Sequence, residues 1–237
     1  MTQGATRQAV AETGAARRAS PANLCGVMLV LALVSAFIVA LLGVNFHGSH
    51  GPDSFDRPVS AAVQAAWPGP GAVAYFVDGI GERGPASVII PLLVLGCLLK
   101  RWWRLAVVAA FGPLSAAAVA IMVKPFVLRT IHGSHLSFPS GHAAFATSLG
   151  MLLGLFLTGL FPRPSRVLGG TLLVGLGLVA GSVMAFDQIA IDAHYPTDTV
   201  GGFFTATAVF PLAVLVVDSM LDLLSRRARA RTPRKRR

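Results

Sequence analysis

The sequence predicts an all-α integral membrane protein: a bundle of six transmembrane helices with both termini cytoplasmic. Three observations carry that expectation. Hydrophobic residues fill 54% of the 237 positions and charged residues only 13%, about half the charged share of a soluble domain. Six apolar stretches reach or approach the ~20 residues that a bilayer requires, and none of them contains a charged side chain. Finally, 16 of the 20 lysines and arginines fall on alternate connections and the two tails. By the positive-inside rule, that side faces the cytoplasm.

In chain order, the first stretch is Leu24–Val44. It is longer than the apolar core of a signal peptide, and no small-residue cleavage site stands out in Gly43–Gly51, so it is expected to be retained. The segment Asn45–Arg83 holds Pro52, Pro58, Pro68 and Pro70 and reads as an outer connector between two helices. Pieces such as Val59–Trp67 are able to lie flat at the interface, and the functional alternative for the segment is a lid or gate for a lipid. Gly84–Leu99 is short for a span and is expected to extend into Arg101-Trp102-Trp103, where aromatic rings favour the interface. Leu105–Val123, Ala143–Phe161, Val167–Phe186 and Thr199–Val217 complete the set. The tight connections 100–104 and 162–166 make antiparallel neighbours of the helices they join.

One domain is expected over residues 22–223, flanked by a disordered cytoplasmic tail over 1–21 and a basic cytoplasmic tail over 224–237. The tail "RRARARTPRKRR" reads as a topology anchor on anionic lipid headgroups rather than a nucleic-acid site. Cys25 and Cys97 both lie inside apolar stretches and read as packing residues, with no disulfide framework. A transporter is disfavoured because no span carries an ionisable residue to line a path.

The chemistry concentrates in two outer loops. "KPFVLRTIHGSHLSFPSGH" runs from Lys124 to His142, and "DQIAIDAHYPTD" from Asp187 to Asp198; together they hold four of the six histidines. Lys124 and Arg129 supply fixed positive charge suited to phosphoryl oxygens. Ser140 and the amides of Gly141 and His142 stand at a helix N-terminus, where exposed N–H groups and the dipole bind anions; a plain helix cap is the competing reading of Ser140. His194 followed four residues later by Asp198 gives an imidazole whose tautomer a carboxylate can set, as nucleophilic catalysis by histidine requires. His142 offers a second imidazole able to protonate a leaving oxygen. This set makes a phosphoryl-transfer site without a metal, and no cluster in the sequence has a metal-ligand pattern.

"PSGH" at 139–142 and "HYPTD" at 194–198, preceded by Lys124 and Arg129, resemble the type 2 phosphatidic acid phosphatase (PAP2) superfamily over about residues 84–220. The resemblance implies a six-helix membrane phosphatase of lipid phosphates that needs no cofactor. His194 would form a phosphohistidine, Asp198 would be its partner and His142 the general acid. Lys124, Ser140 and Gly141 would hold the phosphate. The chain departs from the family pattern twice. The Arg-Pro that ends the first motif is replaced by Ile131-His132, with Arg129 as a substitute. The third-motif Ser-Arg is replaced by Asp187-Gln188, so a phosphate-binding arginine is absent and Gln188 stands in its place. Asp187 and Asp192 read as solvated loop acids.

The leading expectation is a metal-independent phosphatase of the cell membrane with its site on the extracytoplasmic side. Its substrate would be phosphatidic acid, phosphatidylglycerol phosphate or a polyprenyl phosphate or diphosphate. The alternative is a catalytically impaired lipid-phosphate-binding or scaffold protein of the same fold, motivated by the lost arginine.

Overall fold

Helices account for nearly all of the regular structure in the computed structural model, which describes residues 18–67 and 71–231. The expected tails at 1–17 and 232–237 lie outside the described residues. The helices are α1 (Cys25–Asn45), α2 (Asp56–Ala66), α3 (Ala72–Gly81), α4 (Arg83–Leu99), α5 (Trp103–Val127), α6 (Gly141–Leu160), α7 (Arg166–Ala190) and α8 (Pro196–Arg231). A two-residue hairpin, β1 (Thr130–Ile131) with β2 (His135–Leu136), sits between α5 and α6.

Among the described residues, five helices are long and apolar enough to cross a bilayer: Ala22–Asn45, Trp103–Val127, Gly141–Leu160, Arg166–Ala190 and Pro196–Ala228. No single helix of that length matches the sixth expected span. α4 is too short alone, and its continuation is not Arg101-Trp102-Trp103. Arg101 adopts a positive φ of 60°, and Trp103 already opens α5. The added length lies on the other side, in α3, which joins α4 through a bend of 63° at Gly81–Glu82. The 45–83 segment is therefore not a plain connector: α2 and α3 pack against α7, and α3 also touches α6.

Apolar side chains such as Leu33, Phe37, Phe111, Val179 and Val183 are exposed on the outer surface of the bundle, as residues that face lipid should be. Inside, Met28, Leu105, Val108, Met151, Leu155, Phe210 and Val214 share one core. α6 is the most enclosed of the five long helices. Small residues let it approach α7 closely. A Cβ at Gly150 or Gly154 would collide with the Leu176 or Leu172 carbonyl, and one at Gly177 would meet Met151. This is small-xxx-small packing from both partners, the usual means of helix association in lipid.

At the end of the bundle opposite the motifs, a buried ionic cluster corrects two expectations. Arg104, read as a loop residue, is buried in the first turn of α5 and pairs with Asp222 at 2.6 Å and Asp218 at 3.4 Å. Residues 18–21 are not a free tail: the Ala19 and Ser20 amides donate to the Asp218 carboxylate at 2.8 and 3.1 Å. The folded body thus begins before residue 22. It also ends after 223, since α8 stays helical through Arg231 and takes in the first part of the basic run. Cys25 and Cys97 are both free, Cys97 buried.

Candidate active site

Four helix ends meet at the other end of the bundle. Lys124 comes from the last turn of α5, Gly141 and His142 from the first turn of α6, Gln188 from the last turn of α7 and Asp198 from the first turn of α8. The α6 and α8 starts are tied together by the Ser140 amide, which donates to the Asp198 carbonyl at 2.9 Å. Gly202 lets the two helices touch, because a Cβ there would run into Ser140 and Ala143.

These ends enclose a cavity of about 460 Å³ lined by Lys124, Gly141, His142, Gln188 and His194, together with Asp78, Gly81 and Glu82 from the α3–α4 bend. The Lys124 ammonium donates to the Leu136 carbonyl at 2.9 Å, which holds it at the cavity wall. His142 Nε2 stands 3.7 Å from Asp78 Oδ1 and 3.6 Å from Glu82 Oε1, beyond hydrogen-bond distance of both. The α3 backbone presses on the same ring: a Cβ at Gly81 would overlap His142.

His194 is 9% exposed, and its Nδ1 faces Asp198 Oδ2 at 3.6 Å. Burial pushes its pKa below the ordinary 6.5, against the opposing pull of Asp198, which favours the charged ring. The resting imidazole is therefore neutral. With Nδ1 toward the carboxylate, Nε2 is the nitrogen left to react. Asp198 is fully buried and held from both sides: Oδ1 accepts from Arg129 Nη1 at 2.8 Å, and Oδ2 from the Tyr195 amide at 3.0 Å.

Two of the expected phosphate ligands sit elsewhere. Arg129 does not reach the cavity. Its guanidinium is fully buried between Asp198 and Asp56 of α2, with Phe46 and Tyr195 rings on its faces at 3.9 and 4.9 Å. The physical reason is charge: two buried carboxylates need a cation more than an open cavity does. Ser140 is also fully buried, and its hydroxyl accepts the Ala143 amide at 3.3 Å as the α6 cap. Gln188 does line the cavity, but its amide donates to Asp78 Oδ1 at 2.8 Å.

Sequence reasoning missed the acids of the outer segment. Asp56 accepts from Arg129, from the Thr197 amide at 2.9 Å and from the Thr197 hydroxyl. Asp78 and Glu82 flank His142. No local pattern marks them; they act across 60 to 140 positions of chain, and only their place in a segment of unusual proline content hinted at structure. Asp187, read as solvated, is 5% exposed at the end of α7. Asp192 is exposed, as expected, and lies 3.6 Å from His132 Nε2. Among the described residues, no group of three or more His, Cys, Asp or Glu is arranged to hold a metal ion.

Comparisons with known proteins give the family of the chain. Residues 124–220, which contain every cavity residue named above except those of the α3–α4 bend, match the PAP2 superfamily. The chain is 26% identical over 196 residues to phosphatidylglycerophosphatase B of Bacillus subtilis, covering 75% of this chain and 90% of that protein. It is 32% identical over 158 residues to decaprenylphosphoryl-5-phosphoribose phosphatase of Mycobacterium tuberculosis, covering 61% of this chain and 80% of that one. In fold it is similar to the transmembrane PAP2 type phosphatidylglycerolphosphate phosphatase of Bacillus subtilis, with a TM-score of 0.55 and 16% identity over 86% of this chain and 98% of the other. On sequence, relatives and multi-pass helical fold together, the chain belongs to the PAP2 superfamily.

Proposed function

We propose that this protein is a membrane phosphatase that hydrolyses the phosphomonoester or diphosphate of a lipid through a phosphohistidine on His194. The observation that carries the reading is one cavity lined by a neutral, buried His194 backed by Asp198, a second imidazole on His142, and the Lys124 ammonium. The relatives named above act on phosphatidylglycerol phosphate and on a decaprenylphosphoryl phosphoribose, both lipid phosphates.

In the first step the lone pair of His194 Nε2 attacks phosphorus and the bond from phosphorus to the lipid oxygen breaks. His142 gives its proton to that departing oxygen. Asp198 holds the His194 ring and stabilises the positive charge it gains, as an orienting carboxylate does in other triads. In the second step His142, now neutral, takes a proton from water as that water attacks phosphorus. The P–N bond breaks and inorganic phosphate leaves. Lys124 and the amides at the start of α6 stabilise the charge on the phosphoryl oxygens throughout.

A polar cavity at helix ends suits a phosphate at the interface with its tail in the bilayer. The charge bias of the connections supports a reading in which that end lies outside the cell membrane, with six spans if α3–α4 counts as one and both termini inside. The purified protein in detergent, offered phosphatidic acid, phosphatidylglycerol phosphate and a polyprenyl phosphate, should release inorganic phosphate from at least one. No release from any of them, with the fold intact, would leave the impaired binding protein as the better account.

A further inference from the structure

The catalytic cavity has an acidic wall that its phosphate cannot explain. Asp78 and Glu82 line it, and Lys124 is the one lysine or arginine among the described residues that line it, Arg129 being spent on Asp56 and Asp198. A phosphate dianion brought beside two carboxylates is repelled by them. Next to Gln188 stands Asp187, 5% exposed, whose Oδ2 is buried with no hydrogen-bond partner among the described residues. It lines a second cavity of about 180 Å³ together with Val77, Val183, Trp67 and Phe186. The residues lining the two cavities are sequence neighbours, Val77 with Asp78 on α3 and Asp187 with Gln188 on α7. The Trp67 and Phe186 rings meet edge to face there, with centroids 6.2 Å apart.

A buried carboxylate oxygen without a donor is costly, and the cost falls when a ligand brings one. We propose that Asp187, with Asp78 beside it, forms a cation subsite that takes an ammonium group carried on the substrate a few bonds from its phosphate. An ammonium brings three donors and a positive charge. It therefore satisfies Asp187 Oδ2 and offsets the acidic wall. A hydroxyl would meet the first need but not the second. The volume admits an amino-alkyl group beside the phosphate. The same picture explains why glutamine replaces arginine at 188: an arginine there would pair with Asp78 and Asp187 and close the subsite.

This inference rests on the phosphatase reading, and its test separates the two. Octadecyl phosphate, its 2-hydroxy analogue and its 2-amino analogue differ only in the group offered to the subsite. In mixed micelles the wild type should hydrolyse the 2-amino lipid with a kcat/KM about tenfold above the other two, the scale of one charge-assisted contact. Asp187→Asn should bring that ratio below about threefold. A wild-type ratio near one, or equal gains from amino and hydroxy groups, overturns the cation subsite while leaving the phosphatase intact. A ratio that survives in a folded Asp187→Asn protein overturns the assignment to Asp187. The wild-type ratio decides by itself if that variant does not fold. Dissociation constants of the three lipids give a readout free of turnover. If the wild type hydrolyses none of them, the phosphatase reading still stands or falls on phosphatidic acid, phosphatidylglycerol phosphate and the polyprenyl phosphate, and about tenfold tighter binding of the 2-amino lipid upholds the subsite where equal binding refutes it.

Discussion

His194 and Asp198 face each other at 3.6 Å, and the buried Arg129 fixes the far side of that carboxylate. On the proposed mechanism, catalysis and stability therefore share residues here. Removing Arg129 leaves Asp56 and Asp198 buried without their cation, a change that typically costs about 3–5 kcal/mol. Arg129→Ala should accordingly lower the unfolding temperature in detergent and also lower the rate, whereas a residue that only bound phosphate would leave stability unchanged. Asp198→Asn should lower the rate and stability together, for the same reason. The pH dependence follows from the buried imidazole. Because His194 has its pKa pushed below 6.5, its neutral, nucleophilic form persists below that pH. The acid limb of kcat/KM should thus lie below pH 6.5 and mark loss of activity as pH falls; a limb above 6.5 would assign it to another group. The sequence made His194, His142 and Lys124 legible because their types and spacing carry the chemistry. It could not separate Lys124 from Arg129, since both read as free cations. Only the fold brings Asp56 to one of them.

The elements that hold the site are the ends of α5 to α8 and the bend between α3 and α4. Span positions were legible for the long helices, because hydropathy alone sets the length that lipid demands. The bent α3–α4 pair was not: Gly84–Leu99 announces only its straight half, and α3 lies in a segment broken by prolines. The bend brings Gly81 against His142, with no room for a Cβ, whereas Gly79 has nothing within 4 Å of a Cβ. Gly81→Ala should therefore cut turnover well below that of Gly79→Ala, with similar helix content by circular dichroism. Equal activity in the two would show that α3 does not hold His142. α6 and α7 depend on contact at Gly150 and Gly154, and Gly154→Leu should destabilise the bundle as a whole rather than the site alone.

At the scale of the molecule, the charge bias of the sequence predicts which end of the bundle faces out, and the proposed chemistry predicts what that end does. Cysteines placed at Gly133 and Asp192 should react with a membrane-impermeant maleimide from outside intact cells. Labelling only after the cells are opened would reverse the topology. Phosphate release should survive EDTA, because no group of three or more His, Cys, Asp or Glu among the described residues is arranged to hold a metal ion. Loss of activity restored by a divalent ion would mean a different mechanism. The most direct test is to quench a reaction with a lipid carrying labelled phosphate and look for label on the protein. An acid-labile, base-stable phosphohistidine should form on His194 in the wild type and be absent, with turnover, from a folded His194→Ala protein. Full phosphatase activity in His194→Ala would contradict the account outright.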